Sequence, residues 1–396
     1  MAFAADTRPM GEPSAIAAKL AVTRLSLTNF RSYAAAELSV SGRPVVLAGP
    51  NGAGKTNILD AISLLAPGRG LRGAKLSEHI RRGPSAPSEA LWAVAATVAR
   101  GGESYEIGTG LALVPGGGEK RVVRLNGAPQ SPADLGEIVQ MIWLTPAMDR
   151  LFTESAGGRR RFLDRLVLGF DPAHARRAAR YETAMRERAR LLKLGPRDPK
   201  WLDGLEAEMA EAGTAMAAAR AATVARLNAM LAERGRAGAF PCAQLAMAGE
   251  ADVLLGEFGG DAEAKMRALF ARSRLPDAES GQTTFGPHRS DLGVRHVDKR
   301  TDARECSTGE QKALLVSIVL ADAWEFARVR EGSAPLLLLD EIAAHLDGRR
   351  RAALFEEVLE LGAQAWMTGT DLNLFENLKG RADVLAVDNG RFAVQE

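Results

Sequence analysis

Cysteine is scarce in this sequence. Only Cys242 and Cys306 are present among the 396 residues, and they form no Cys-x-x-Cys motif. Two isolated cysteines argue against a disulfide framework or a structural zinc site, and they fit a reducing compartment. We therefore expect a cytoplasmic protein.

An excess of charge and a long apolar run are both missing. The 51 basic and 49 acidic residues leave a formal charge of +2, so any affinity for nucleic acid must come from a local patch. No window approaches the roughly 18 consecutive apolar residues of a membrane span, and the first residues lack the order of a signal peptide. These features argue against a membrane partner, and residues 1–20 are expected to form a flexible tail.

The sequence does contain enough apolar residues, 46%, for a large core. Strand patterns lie at 21–29, 44–48, 91–98 and 104–113, and Asn126-Gly127 is a hairpin signal. Helical spacing dominates 155–235, and strand signals return after about 280. The pattern predicts two α/β portions separated by a helical insertion.

The octapeptide G-P-N-G-A-G-K-T fits the phosphate-loop pattern and stands between an apolar strand and a helix, as that motif requires. Its residues are Gly49, Pro50, Asn51, Gly52, Ala53, Gly54, Lys55 and Thr56. The glycines let backbone N–H groups face phosphates, Lys55 would reach the β and γ oxygens, and Thr56 would ligate Mg²⁺. The alternative is a Gly-rich turn that happens to contain a lysine and binds no phosphate, and the context disfavours it.

An acidic pair, Asp340 and Glu341, ends the apolar run L-L-L-L. Carboxylates at the C-terminal end of a strand stand where open α/β sheets bind their ligands. Asp340 would hold Mg²⁺, and Glu341 would orient or deprotonate the attacking water. Alone the pair would be read as a helix N-cap, but a phosphate loop in the same chain favours the nucleotide site.

The stretch C-S-T-G-E-Q-K precedes another apolar helix. Ser307 and Glu310 match a capping box, so one interpretation of this stretch is a purely structural helix cap. Alternatively, the Ser307 hydroxyl, the Gly309 N–H and the helix N-terminus form a second phosphate site. The two interpretations are compatible, since a cap presents the helix N-terminus.

These motifs, in this order and followed by A-A-H-L-D, resemble the ABC-type ATPase heads of the SMC and Rad50 class. Four stretches narrow the resemblance to the RecF family of bacterial DNA replication and repair proteins: L-T-N-F-R-S-Y at 27–33, T-P-x₁₂-R-R-R-F-L-D at 145–164, T-T-F-G-P-H-R-S-D-L at 283–292 and D-E-I-A-A-H-L-D-G-R-R at 340–350. The resemblance implies an α/β ABC-type head, at 21–150 and 281–396, carrying a mostly helical arm at 151–280.

The resemblance also implies roles and partners. Lys55, Asp340 and Glu341 would serve catalysis, while Ser307 and Gly309 would form the signature turn that closes over a nucleotide held by a second copy. Asp347 matches the D-loop aspartate, and Arg31 matches an arginine that contacts nucleotide in related heads. His288 and Arg289 match a motif without an assigned role.

The implied function is ATP- and Mg²⁺-dependent dimerisation on DNA, with slow hydrolysis for release. It would serve recombinational repair, replication-fork maintenance and the SOS response, with RecR and RecO as partners. A transporter ATPase and another SMC-like DNA clamp are the alternatives.

Several positions depart from the family pattern. Thr308 replaces the usual glycine of the signature, and Ala147 stands where an acidic residue is usual. Only Gln140 is available as a Q-loop residue, and Thr368 and Thr370 lie where transporters place a switch histidine. A side chain at 308 would loosen the approach of the signature turn to phosphate, which is consistent with slow hydrolysis.

The segment 159–193 is the candidate DNA surface, with eleven basic and four acidic residues. An excess of seven charges on a helical run suits the phosphate backbone of a duplex or junction, and few aromatics are interleaved for base stacking. The alternative is a solvated helix face with ion pairs such as Glu182 to Arg186.

Overall fold

The computed structural model describes residues 20–82, 91–114, 118–195, 199–235, 238–388 and 390–395, so all but the last residue of the predicted tail lies outside it. Its strands are β1 Ala21–Phe30, β2 Tyr33–Ser39, β3 Val45–Ala48, β4 Ala93–Arg100, β5 Glu103–Val114, β6 Gly118–Leu125, β7 Ala128–Gln130, β8 Met141–Leu144, β9 Ala243–Ala248, β10 Asp291–His296, β11 Thr301–Asp302, β12 Leu336–Leu339, β13 Ala365–Gly369, β14 Asp383–Asp388 and β15 Arg391–Gln395. Its α-helices are α1 Lys55–Ser63, α2 Leu135–Ile138, α3 Ala156–Phe170, α4 His174–Leu194, α5 Pro199–Arg234, α6 Glu250–Phe258, α7 Ala262–Arg272, α8 Arg274–Ser280, α9 Thr308–Val329 and α10 Gly348–Leu361.

The central sheet has the order β15-β14-β3-β13-β12-β8, and all its strands except β15 run parallel. Its strands are short apolar runs because both faces are covered. Leu337 and Leu339 of β12 enter the core under α9 and α10, whereas Leu336 and Leu338 enter the core under α1. The sheet therefore joins two hydrophobic cores, and the predicted α/β class is confirmed.

The second sheet is antiparallel, with the order β2-β1-β4-β5-β6-β7, and it covers α1. The hairpin predicted at Asn126-Gly127 is confirmed between β6 and β7, with φ of 49° and 81°. Positive φ at both central positions is what a two-residue type I′ turn requires. A third sheet, β11-β10-β9, lies beside the helices.

The helices between β8 and β10 contribute to two different cores. Tyr181 on α4, Met216 on α5 and Met266 on α7 belong to a small core of their own. By contrast, α3 and the C-terminal part of α5, with Leu227 and Leu231, pack into the same core as α9. The division at 150 and 280 stays a prediction, and the packing favours a narrower arm of α4, the first part of α5 and α6 to α8.

Buried polar contacts join the arm to the head. Asp164 accepts hydrogen bonds from Arg220 Nε at 2.8 Å and Nη2 at 2.9 Å, and it lies 2.8 Å from His174 Nε2. Burial raises the pKa of Asp164, but the hydrogen bonds from His174 and Arg220 outweigh it, so the pKa lies below its ordinary value. Arg220 also donates to the carbonyl of Pro287 at 2.7 Å.

His288 completes this junction and thereby acquires a structural role. Its Nε2 lies 2.9 Å from the carbonyl of Thr283, and its Nδ1 lies 2.7 Å from the hydroxyl of Tyr181. The carbonyl can only accept, so Nε2 carries the proton and Nδ1 accepts from Tyr181. Burial lowers the pKa of His288, which favours this neutral form. Arg289, by contrast, is exposed.

Removal of the Asp164 carboxylate tests this junction. We expect Asp164→Ala to lower the free energy of unfolding by about 3–5 kcal/mol, because Arg220, 2% exposed, loses its ion-pair partner and keeps its charge. The exposed Glu182 on α4 is the control, and Glu182→Ala should change stability by less than about 0.5 kcal/mol. Urea unfolding followed by circular dichroism measures both, and equal midpoints would contradict this role of Asp164.

Candidate functional site

The phosphate loop joins the C-terminal end of β3 to α1. Lys55 is 4% exposed, and its Nζ donates to the carbonyls of Gly49 at 2.6 Å and Pro50 at 2.8 Å. Burial lowers the pKa of Lys55, and the carboxylates of Glu341 and Asp340 partly offset this effect. The ammonium group thus lies inside its own loop, near both acidic residues of the predicted site.

Glycine is required at the end of the loop by a close approach. Gly54 precedes α1 with a φ of 109°, and its carbonyl accepts a hydrogen bond from the Tyr33 hydroxyl at 3.1 Å. A Cβ on Gly54 would lie 2.7 Å from that hydroxyl oxygen and 2.9 Å from Ser32 Oγ. Gly52 also has a positive φ, 83°, but a Cβ there would meet no atom within 4 Å.

The acidic pair lies at the end of β12, beside α1. Thr56 Oγ1 donates to the Asp340 carboxylate, with distances of 2.9 and 3.1 Å to its two oxygens. An oxygen ligand set of a hydroxyl and a carboxylate suits Mg²⁺, so these two residues fit the predicted metal site. Glu341 has a left-handed backbone, with φ of 52°.

Thr368 holds both acidic residues, a role that sequence reasoning missed. Its hydroxyl donates to Asp340 Oδ1 at 2.7 Å and accepts from the Glu341 N–H at 2.8 Å. The side chain is fully buried at the end of β13, the strand between β3 and β12. Thr368 therefore fixes the direction of the Asp340 carboxylate and the left-handed backbone of Glu341. The sequence placed it only near the switch position, and Thr370 is exposed.

The signature turn is an exposed capping box at the start of α9. The Glu310 carboxylate accepts from the Ser307 N–H at 3.1 Å and pairs with Lys299. The hydrogen bond from Lys299 is the main reason that the pKa of Glu310 lies at about 2. Ser307, Thr308 and Gly309 are exposed. The predicted cap is confirmed, and the helix N-terminus remains accessible from outside the chain.

Two other candidate nucleotide contacts differ in their surroundings. Asp347 caps α10 by accepting from the Arg350 N–H at 2.8 Å, and its side chain is 57% exposed. Arg31 is instead paired with Asp60 of α1, with distances of 3.0 Å from Nε and 2.9 Å from Nη2. Its Nη1 donates to the carbonyl of Glu78 at 2.9 Å. Both nucleotide-contact roles stay predictions.

Gln140 lies at the wrong end of the sheet for a Q-loop. Its carbonyl accepts from the N–H of Leu336, the first residue of β12, whereas Asp340 follows the last residue of that strand. The side chain cannot approach a nucleotide at the C-terminal strand ends. At the other end of β8, the N–H of Asp340 donates to the carbonyl of Leu144 at 2.9 Å.

Most charges of the segment 159–193 already have partners. The ion pairs are Arg159 with Asp291, Arg177 with Asp171, Arg180 with Glu208 and Glu211, Arg188 with Glu206 and Asp277, and Arg190 with Glu187. Arg165 lies over the Trp143 ring at 4.3 Å, and Arg160 donates to the carbonyl of Ser290. Arg186 donates to the carbonyl of Glu182 rather than to its carboxylate. The charge available for DNA is therefore much smaller than the sequence suggests.

The sequence and fold match known proteins. Residues 21–392 match the family model described as RecF/RecN/SMC N terminal domain. The chain is 50% identical over 371 residues to the DNA replication and repair protein RecF of Mesorhizobium japonicum, covering 93% of this chain and 96% of that protein. It is 50% identical over 375 residues to RecF of Agrobacterium fabrum, covering 94% and 98%.

Solved structures show the same fold. A structure of the recombination mediator protein RecF-ATP in the RecFOR pathway has a TM-score of 0.81 at 21% identity, covering 95% of this chain and 98% of that chain. An Smc head domain of Pyrococcus furiosus with an extended coiled coil has a TM-score of 0.53 at 18% identity, covering 95% and 96%.

The sheet order, the phosphate loop beside the Asp340–Glu341 pair, and the exposed signature helix define an ABC-type ATPase head of the SMC class. The identity to curated relatives then narrows the assignment, and the chain belongs to the RecF family.

Two glycine substitutions test the geometry of the loop. Both Gly54→Ala and Gly52→Ala should cost about 1 kcal/mol for the left-handed backbone. We expect Gly54→Ala to cost a further amount of about 1–3 kcal/mol, because the new Cβ overlaps Tyr33 and Ser32. Thermal unfolding without nucleotide measures the difference, and equal losses for the two variants would contradict this packing.

Proposed function

We propose that this protein is an ATP-dependent DNA-binding protein of recombinational repair that works as an ATP-bridged dimer. The observation that carries the proposal is the signature turn, whose residues Ser307, Thr308 and Gly309 are exposed at the N-terminus of a 22-residue helix. Such a helix end attracts an anion. In this fold class, the anion that meets the signature turn is the γ-phosphate of ATP. A second copy of the chain holds this ATP in its phosphate loop.

The proposed biological setting rests on the relatives. Curated relatives are named DNA replication and repair proteins, and solved structures place their RecF in the RecFOR pathway. We extend that setting to this chain, with RecR and RecO as partners, recombinase loading at gapped or junction DNA, and a contribution to SOS induction. Among the helices in the described ranges, none combines the length and apolar character needed to cross a bilayer.

Hydrolysis would act as the release step of the dimer. Lys55 and the loop N–H groups bind the phosphates, and Glu341 orients or deprotonates the water. When bound between Thr56 and Asp340, Mg²⁺ would neutralise charge on the phosphate oxygens. Thr368 is a positioning residue, because it acts by orienting Asp340 and Glu341. ATP favours the closed dimer because it bridges two copies, and this bridge is lost when ATP is hydrolysed.

Two substitutions separate nucleotide binding from dimerisation. Lys55→Met should abolish ATP binding and therefore the ATP-dependent dimer. Ser307→Arg should preserve ATP binding, since Ser307 contacts only its own helix and hairpin, but it should block dimerisation by covering the exposed turn. Light scattering with and without ATP, together with nucleotide titration, measures both effects. A wild-type dimer for Ser307→Arg would refute the proposed role of the turn.

A second pair of substitutions tests Thr368. Thr368→Val keeps the side-chain shape but leaves the Glu341 N–H and one Asp340 oxygen without this hydroxyl. We expect ATP hydrolysis to fall about 10- to 100-fold because the general base is misoriented, with ATP affinity changed less than about threefold. Thr370→Val is the matched control, since that side chain is exposed, and it should hydrolyse ATP normally. Equal rates for the two variants would exclude the positioning role.

A further inference from the structure

The loop after α1 carries three exposed basic side chains that form no ion pair with the described residues. We call residues 67–75, P-G-R-G-L-R-G-A-K, the basic loop. Arg69, Arg72 and Lys75 are exposed, and within the part of the chain that the structure describes no ion pair holds any of them. In the segment 159–193, by contrast, five of the ten arginines are held by acidic partners, and Arg161, Arg176 and Arg186 are exposed without an ion pair among the described residues.

Glycines give the basic loop its shape. Gly68, Gly70 and Gly73 have φ of 97°, 74° and 61°, a conformation that glycine adopts without steric cost. Gly70 passes close to α1, where a Cβ would lie 2.9 Å from Ser63 Oγ and 3.0 Å from Leu64 Cδ2. The chain therefore turns repeatedly and stays close to the end of the helix.

The backbone of the basic loop is fastened on its inner side. The Leu71 N–H donates to Ser63 Oγ at 2.6 Å, and Arg121 on β6 donates to the carbonyl of Gly68 at 2.7 Å. Arg121 also donates to the carbonyls of Leu64 and Ala66, at the C-terminal end of α1. These inner anchors use carbonyl and hydroxyl groups, whereas at the end of the loop the Lys75 N–H donates to the Glu78 carboxylate at 3.1 Å. Among the described residues, none of the three cationic side chains forms an ion pair.

The segment that follows the loop returns to the same helix. Asp60 of α1 pairs with Arg31, which in turn donates to the carbonyl of Glu78. The His79 ring lies 3.5 Å from the same carboxylate. The basic loop and the segment at Glu78 and His79 that follows it are thus both attached to α1. The first residues of this helix are Lys55 and Thr56 of the phosphate loop.

We propose that Arg69, Arg72 and Lys75 bind the phosphate backbone of duplex DNA. This inference rests on the proposed function, and it moves the DNA contact from the arm to the head. A cationic side chain that binds a DNA phosphate displaces counterions from the DNA. A side chain without an ion pair can do so without breaking a contact to an acidic residue of the protein. The basic loop has no aromatic residue, so it offers no stacking platform for single-stranded bases, and backbone contact to a duplex fits it better.

The experiment compares two variants with equal loss of charge. One carries Arg69→Gln, Arg72→Gln and Lys75→Gln, and the other carries Arg161→Gln, Arg176→Gln and Arg186→Gln at exposed positions of the segment 159–193. The dissociation constant for a duplex is measured with ATP at several KCl concentrations. Thermal unfolding and light scattering with ATP verify that both variants fold and dimerise like the wild type.

The expected result is a loss confined to the loop variant. The slope of log K against log salt should fall by up to about 3 for three lost phosphate contacts, and affinity should fall roughly tenfold or more at moderate salt. The arm variant should keep the wild-type slope. A third variant, Arg69→Lys with Arg72→Lys, should retain most of the slope because the charge is kept.

Two outcomes would overturn the inference, and they are distinguishable. If the wild type binds duplex DNA and the loop variant keeps its slope, the basic loop is not the contact, although the proposed function stands. If the wild type does not bind DNA even with ATP, the proposed function fails and the inference fails with it.

Discussion

The carboxylate of Asp340 is the point at which three neighbouring parts of the head meet. It follows β12, it accepts from Thr56 at the start of α1, and it accepts from Thr368 at the end of β13. These contacts fix the mutual position of the phosphate loop and the acidic pair across nearly three hundred residues of sequence. They also couple the Asp340 carboxylate, part of the predicted metal site, to the backbone of Glu341, since the Thr368 hydroxyl contacts both residues. A displacement at any of the three elements therefore changes the geometry of the other two.

A second group of buried polar contacts connects the arm to this head. Asp164, Arg220 and His288 lie where α3, α4 and α5 meet the turn before β10. Buried ionic and hydrogen-bonded groups of this kind are costly when incomplete, so they specify one docking geometry more strongly than apolar packing would. Two of the sequence stretches that carried the family resemblance, R-R-R-F-L-D and G-P-H-R-S-D, meet at this junction. Asp164 and His288, one from each stretch, thus contribute to the architecture of the arm.

Local patterns in the sequence were sufficient for the phosphate loop, the apolar strand before Asp340 and Glu341, the Ser307 cap and the hairpin at Asn126-Gly127, because each depends on neighbouring residues. Long-range partners could not be predicted in this way. Arg159 pairs with Asp291, and Arg188 pairs with Asp277, so two charges of the segment 159–193 are neutralised by residues about a hundred positions away. Thr368 likewise acquires its role only because β13 lies beside β12. Gln140 could have been excluded from the sequence, since it precedes its strand rather than following it.

Helix α5 belongs to both cores, and this has a mechanical consequence. Its first part packs in the arm and its last part packs against α9, the helix that begins with the signature turn. With 36 residues and a rise of 1.5 Å each, it is about 54 Å long. A lever of this length converts a tilt of about 5° at the head into a displacement of about 5 Å at the opposite end. A tilt of α9 that α5 follows as a rigid body would therefore displace the arm by several ångströms.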